Sequence, residues 1–373
     1  MTSTSSSDST RINATKIHHV SFSYDNNLFT AGLDSGFSIF QIEPLKSIQE
    51  IDAVKGSVGV VSTMHNTGRF CLVGGWPNAI NSPNNVMIWD NSLPDPRFIG
   101  QIHSRTQIKN VKCSRDYLVV VCLQTVCVYT ITDLRSSLEF KRIRQIETDL
   151  NPHGLCEISC NWAPLVLVSL GLMKGRVRAE YFGARNSQRV IVGHDSEIAS
   201  MALTPDGRIL ATASSKGTLI RVFNTLDGSL LQEVRRGASG ASIHSLAISR
   251  NAQWLAASSD KGTVHVFGLR IDPSLLANNN SSQVAPPSNK SSSLSILKGV
   301  LPKYFSSEWS VAQFRLPKGV KHVVMFGPGK NTIVIVGMDG SFYRCEYDPV
   351  AGGTMTLLEN VNILNPAEKD KLT

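Results

Sequence analysis

Asp206-Gly-Arg-Ile-Leu-Ala-Thr-Ala-Ser-Ser-Lys-Gly-Thr-Leu-Ile-Arg-Val-Phe223 and Asn251-Ala-Gln-Trp-Leu-Ala-Ala-Ser-Ser-Asp-Lys-Gly-Thr-Val-His-Val-Phe267 are two copies of one unit. Leu210 matches Leu255, and Lys216-Gly217-Thr218 matches Lys261-Gly262-Thr263, each at a spacing of 45 residues. In each copy a polar turn precedes an apolar strand, and a Gly-containing turn leads into an alternating strand. Short β-rich runs with a period of about 40 to 45 residues are the signature of a four-stranded propeller blade. Weaker copies run over Val20 to Ile42 with turn Asp34-Ser35-Gly36, Val60 to Trp89, Ile108 to Ile131, Leu155 to Phe182 with turn Lys174-Gly175, and Val320 to Tyr347 with turn Asp339-Gly340. Seven units of about 45 residues account for about 315 of the 373 residues. The expected fold is all-β, a closed seven-bladed β-propeller of four-stranded, WD40-like blades. It spans 16–365 as one domain, between a disordered tail at 1–15 and a second tail at 366–373. Closure removes the sheet edges that otherwise template aggregation.

Composition agrees with a folded chain. The sequence carries 37 Lys+Arg against 29 Asp+Glu, a net charge of +8, with 42% hydrophobic and 7% aromatic residues. That balance excludes a disordered protein. The opening Met-Thr-Ser-Thr-Ser-Ser-Ser-Asp-Ser-Thr has no basic and no apolar stretch, so no secretory signal is expected and a cytoplasmic location is. The longest apolar run, Leu165 to Met173, is broken by Ser169 and Gly171 and is about half of the roughly 20 residues that cross a bilayer as a helix. The seven Cys form no Cys-x-x-Cys pair, and Cys113, Cys122 and Cys127 lie in or beside apolar strand-like runs, which reads as reduced structural thiols.

Catalytic, metal and cofactor signatures fail. Gly327-Pro-Gly-Lys330 is followed by Asn331 where a phosphate-binding loop needs Ser or Thr, Gly-x-Ser-x-Gly is absent, and His18-His19 lacks a second ligand pair. The expectation is a protein with no catalytic residues, metal or cofactor. The basic residues are dispersed without interleaved aromatics, which argues against nucleic acid despite a pI of about 9.1. A monomer in solution is expected.

Spacing locates one large insertion. Gly217 to Gly262 is 45 residues but Gly262 to Gly340 is 78, so about 33 extra residues lie between the corresponding turns of units six and seven, within 271–312. Of the 23 residues from Ile271 to Ser293, 14 are Ser, Asn or Pro, a composition that reads as a flexible excursion. The following stretch is apolar at near-helical offsets: Leu294, Ile296, Leu297, Val300, Leu301, Tyr304, Phe305 and Trp309, flanked by Lys298 and Lys303. Apolar and aromatic residues with Lys on a loop suit an interfacial membrane anchor; packing back on the propeller rim is the alternative.

The candidate chemistry lies at the junction of units five and six, in Glu233-Val234-Arg235-Arg236-Gly237-Ala238-Ser239-Gly240. Consecutive strand residues point to opposite faces, so Arg235 and Arg236 address two neighbouring sites. A guanidinium offers a fork of donors suited to phosphate oxygens, and Gly237 allows a tight backbone. Unit five supplies His194, Ser214, Ser215, Lys216, Thr218 and Arg221; unit six supplies His244, Ser258, Ser259, Lys261, Thr263 and His265. Such donor-rich sets suit polyanionic headgroups, although Ser-Ser-x-Lys-Gly-Thr is also an ordinary propeller turn.

The Arg235-Arg236-Gly237 motif, preceded by His194 and Lys216 to Phe223 and followed by Ser259 to Phe267, resembles the PROPPINs, the WIPI-type autophagy propellers, and is nearest to plant members in having Val234 before the Arg pair. The resemblance implies binding of phosphatidylinositol 3-phosphate and phosphatidylinositol 3,5-bisphosphate. It implies a first site of His194, Ser214, Ser215, Thr218, Arg221 and Arg235, and a second of Arg236, His244, Ser259, Lys261, Thr263 and His265. It also implies that 294–309 inserts into membranes. The implied role is a scaffold on preautophagosomal, endosomal or vacuolar membranes. Its implied partner is an autophagy lipid-transfer or conjugation-machinery protein, for which the candidate surface is the long blade-two loop from Trp76 to Asn85. A peptide-binding WD-repeat scaffold without lipid specificity is the competing expectation.

Overall fold

The computed structural model describes residues 15–52, 55–65, 67–76, 78–134, 137–160, 164–183, 186–272, 290–291, 308–365 and 367. They form seven blades in chain order, each built on four antiparallel strands, with short extra strands Lys290–Ser291 and Glu308–Trp309 added to the sheet of blade five and Gly353–Thr354 to that of blade six. Blade five comprises Ile198–Leu203, Ile209–Ser214, Leu219–Asn224 and Leu230–Arg235; blade six comprises Ile243–Ile248, Trp254–Ser259, Thr263–Gly268 and Ala312–Arg315. Burial is graded across a blade. The second strands Ile209–Ser214 and Trp254–Ser259 are buried throughout because neighbouring blades cover both faces, whereas outer strands such as Leu45–Ile51 are largely exposed.

The polar turn before each second strand has a repeated geometry. Ser23, Thr204 and Ser249 hydroxyls donate to Asp25, Asp206 and Asn251 at 2.6, 2.6 and 2.7 Å. The same hydroxyls accept from the amides of Leu28, Ile209 and Trp254 at 2.9, 3.0 and 2.9 Å. A short polar side chain thereby closes the hairpin, which is why the sequence places one there. The next turn needs glycine: Gly217 has φ +60° and Gly262 φ +68°, and a Cβ would run into the carbonyl of Ala241 at the first and of Leu316 at the second.

Blade seven takes all four of its strands from the C-terminal part, so the ring closes by packing. One core cluster joins Ile17, Phe29 and Phe40 of blade one to Val334, Val336 and Phe342 of blade seven, with Phe29 stacked on Phe342 at 5.9 Å. Arg344 also reaches Glu43 across the seam at 2.9 Å. The thiols are free; burial pushes Cys156 and Cys345 up to about 12, as expected of cysteines serving as small apolar groups.

The insertion lies between the third and fourth strands of blade six. Its outgoing limb ends in described residues at Ile271, which packs on the blade five–six core. Lys290–Ser291 form a short strand, although composition predicts no structure there. The returning residues Glu308–Trp309 pair in parallel with the outer strand of blade five, Val234 with Glu308 and Arg235 with Trp309.

Candidate functional site

Strand alternation directs the arginine pair. Val234 is fully buried among Ile220, Val222, Leu255, Ala257 and Phe267, the core between blades five and six. Arg235 therefore leaves the other face of its strand, toward blade four. Leu210 and Phe223 pack against Val168 and Leu170 of blade four, so Thr212, Ser214 and Arg221 share that side. His194, from the connection entering blade five, lies 3.1 Å through Nε2 from Thr212 Oγ1. Burial lowers the His194 pKa, which leaves the ring neutral at pH 7. Arg221 donates from Nε to Glu233 at 2.7 Å and from a terminal nitrogen to the Gly193 carbonyl at 2.7 Å. Ser215 and Lys216 are exposed on the turn and Thr218 is half-buried. Thr212, Ser214, Arg221 and Arg235 thus share the side of blade five that faces blade four, with His194 bonded there to Thr212.

Arg236 starts the loop that follows and turns the opposite way. It is 6% exposed, and its Nε donates to the Gly217 carbonyl at 2.9 Å while a terminal nitrogen donates to the Ser239 carbonyl. Burial lowers its pKa, opposed by Asp260. On blade six, Leu255, Ala257 and Phe267 face blade five, and alternation puts Ser259, Thr263 and His265 on that side with them. His265 is buried, with Nδ1 3.1 Å from Ser310 Oγ, and desolvation, reinforced by Arg236, holds its pKa down at about 4. Ser259 Oγ is buried with no hydrogen-bond partner among the described residues. Lys261 is exposed, 3.8 Å from Asp260. His244, on the first strand of blade six, has its pKa lowered by burial and then by Lys321, opposed by Asp260, which lies between Ser259 and Lys261, with His322 adding to the fall. Its Nδ1 is also buried without a partner.

Of the eight predicted anchor residues, Leu294, Ile296, Leu297, Val300, Leu301, Tyr304 and Phe305 lie outside the described residues. Trp309 is half-buried on the edge of blade five beside Arg235. Sequence reasoning missed the polar clamp that puts it there. Buried Gln232 donates to Glu308 at 2.8 Å and to the Gly268 carbonyl at 3.1 Å, and accepts from the Arg270 amide at 2.9 Å. Arg270 approaches Glu308 at 3.6 Å. Glu233, which neutralises Arg221, was missed as well.

The blade-two loop is hydrogen-bonded to its neighbour. Ser57 donates its amide to Asn78 at 2.9 Å and its carbonyl accepts from Gly75 and Ile80 at 2.9 and 3.2 Å. Trp76 is left 85% exposed.

The PROPPIN family model matches residues 16–291. Autophagy-related protein 18e of Arabidopsis thaliana is 40% identical over 89% of this chain and 84% of its own length. Autophagy-related protein 18 of Dictyostelium discoideum is 26% identical over 94% of each chain. A solved structure titled Kluyveromyces lactis Hsv2 complete loop 6CD superposes with TM-score 0.71 at 23% identity, covering 94% of this chain and 99% of that one. With the fold matched along nearly its whole length and the family model matched over most of it, this chain belongs to the PROPPIN family.

Proposed function

We propose that this protein is a membrane-recruited scaffold of autophagy that binds phosphatidylinositol 3-phosphate and phosphatidylinositol 3,5-bisphosphate. The first headgroup occupies the cleft between blades four and five, with Arg235, His194, Ser214, Ser215, Thr218 and Arg221. The second occupies the cleft between blades five and six, with Arg236, Ser259, Lys261, Thr263 and His265, and with His244 at its blade-seven side. The observation that carries this reading is the divergence of adjacent arginines into two clefts lined by hydroxyls and neutral imidazoles. Hydroxyl and imidazole groups around a guanidinium offer a convergent set of donors to phosphate oxygens.

Two headgroup sites on one rigid rim act multivalently, since the second contact forms at high effective concentration. The insertion adds an apolar anchor at 294–309, and its return beside Arg235 favours anchor and headgroup meeting the same membrane. Recruitment then depends steeply on the density of 3-phosphorylated lipid, on preautophagosomal, endosomal or vacuolar membranes. The exposed Trp76, on a hydrogen-bonded loop, suits a protein partner from the autophagy lipid-transfer or conjugation machinery.

Flotation with vesicles containing either 3-phosphorylated lipid or unphosphorylated phosphatidylinositol tests the reading. Wild type floats only with the phosphorylated lipids, and Arg235→Thr/Arg236→Thr does not float. Equal flotation of both proteins, or of neither, would leave a peptide-binding scaffold as the function.

A further inference from the structure

Blades five and six are equivalent in register as well as in sequence, and the register brings a third arginine into view. In blade five, Arg221 pairs with Glu233 and Leu219 with Arg235. In blade six, His265 pairs with Gln313 and Thr263 with Arg315. Arg315 therefore occupies in blade six the place that Arg235 occupies in blade five.

Alternation gives the face. Ala312 packs in the core between blades six and seven, and Phe314 packs there too, 5.9 Å from the Tyr343 ring. Gln313 and Arg315 consequently leave the opposite face, toward blade five. The Gln313 side chain confirms the direction: it donates to Ser310 Oγ at 2.9 Å, the same hydroxyl that meets His265 Nδ1 at 3.1 Å. Arg315 lies one step further along this face, opposite Thr263. It is exposed and makes no hydrogen bond or ion pair with any described residue.

The two clefts differ in charge at these equivalent places. The Arg221–Glu233 pair at 2.7 Å cancels to zero and leaves Arg235 as the guanidinium of the first outer wall. The corresponding His265 and Gln313 are both uncharged at pH 7, so the wall that carries Arg315 has no carboxylate at these places. The acids on this side include Asp260, at the turn, exposed and facing Lys261 at 3.8 Å while accepting from the Ser242 amide at 2.9 Å, and Glu308, which is held by Gln232 at 2.8 Å and approached by Arg270 at 3.6 Å.

We propose that Arg315 is a ligand-binding residue of the cleft between blades five and six, and that it makes this cleft the one that favours a doubly phosphorylated inositol ring. The inference rests on the headgroup-binding function above. A guanidinium contact to a second phosphate is available where Arg315 joins Arg236 on one cleft, and has no counterpart in the first cleft, where Arg221 is held by Glu233.

Calorimetric titration of the full-length protein with two soluble headgroups, inositol 1,3-bisphosphate and inositol 1,3,5-trisphosphate, tests this. Arg315→Ala is expected to weaken the trisphosphate about tenfold at one of two sites and the bisphosphate less, as for loss of one charge-assisted contact. Arg315→Lys recovers part of the loss. In an Arg235→Thr background, where only the second cleft remains, Arg315→Ala removes most of the residual binding; in an Arg236→Thr background it removes little more. If Arg236→Thr fails to fold, Thr263→Val replaces it as the second-cleft variant. Wild-type binding by Arg315→Ala, while Arg235→Thr/Arg236→Thr is inactive, overturns the inference alone. So does equal weakening of both headgroups, or an added loss confined to the Arg236→Thr background. Unchanged binding by the double variant overturns the headgroup reading itself.

Discussion

The clefts flanking blade five are built from equivalent positions of one repeat and yet are held together differently. In the cleft between blades four and five the outer wall is an ion pair, Arg221 with Glu233 at 2.7 Å, and His194 leans on Thr212. In the cleft between blades five and six the same wall is a neutral chain of His265, Ser310 and Gln313, and a buried arginine braces the loop by donating to the carbonyls of Gly217 and Ser239. Arg235 extends from the end of a strand already secured by its ladder; Arg236 is part of what secures the loop. Two adjacent residues of one type thus divide the work: both serve phosphate in the proposed function, and one also braces the loop.

The comparison breaks most completely at the shared turn. Gly217→Val puts a branched side chain at positive φ against the Ala241 carbonyl, and is expected to cost about 3 kcal/mol or more in stability. Gly262→Val meets the Leu316 carbonyl at 2.6 Å from its Cβ, a less severe overlap, so denaturant unfolding should rank Gly217→Val as the more damaging.

Separating the arginines is the next test. Arg236→Thr removes two hydrogen bonds from a buried charged group and is expected to lower stability by about 2 kcal/mol, whereas Arg235→Thr, half-buried at a strand end, should lie within about 0.5 kcal/mol of wild type. Thermal melts of the two single variants without ligand decide this. Identical melting would mean that Arg236 braces nothing.

Acid should sharpen the contrast. The folded pKa of His265, like that of His19, is held down at about 4, below the unfolded value near 6.5, so the unfolded chain binds more protons between these values. Stability that is fully present above pH 6.5 is lost progressively toward pH 4. Melts from pH 7 to 4.5 should show that fall, and His265→Gln should reduce its slope; an unchanged slope would show that His265 carries none of it.

The smallest effect concerns the insertion. Glu308→Ala breaks the clamp to Gln232 and Arg270, so binding to vesicles is expected to weaken about threefold while soluble headgroup binding stays at its wild-type value, in keeping with a partly exposed contact. Glu308→Gln, which keeps an acceptor for Gln232, should lie between the two. Equal losses in both assays would assign Glu308 to the headgroup site instead.

Much of this was legible in the chain because repetition and alternation are local properties. The spacing of 45 between Lys216-Gly217-Thr218 and Lys261-Gly262-Thr263 is enough to name the blade, and the adjacency of Arg235 and Arg236 at the end of one extended segment is enough to send them to opposite sides. The same alternation applied to Ala312–Arg315 would have found Arg315, but the insertion displaces that strand by more than 40 residues from its partner Thr263–Gly268, and the repeat is no longer visible there. His244 shows the limit from the other side: its place in the chain groups it with Ser259 and Lys261, while a register shift between Ile243 and Ser245 accompanies its placement near Lys321 and His322.

The sequence by itself determined the blade period, the glycine turns, the location of the insertion and the arginine pair, since each is a short motif or the spacing between copies of one. Only the tertiary structure decided that Glu233 neutralises Arg221, that Glu308 returns to the edge of blade five, that Arg236 is a buried brace and that Arg315 stands opposite Thr263. Those relations depend on which blade lies beside which and on strand register across long connections, where burial and ladder hydrogen bonding of the whole ring, and not local pattern, select the partner.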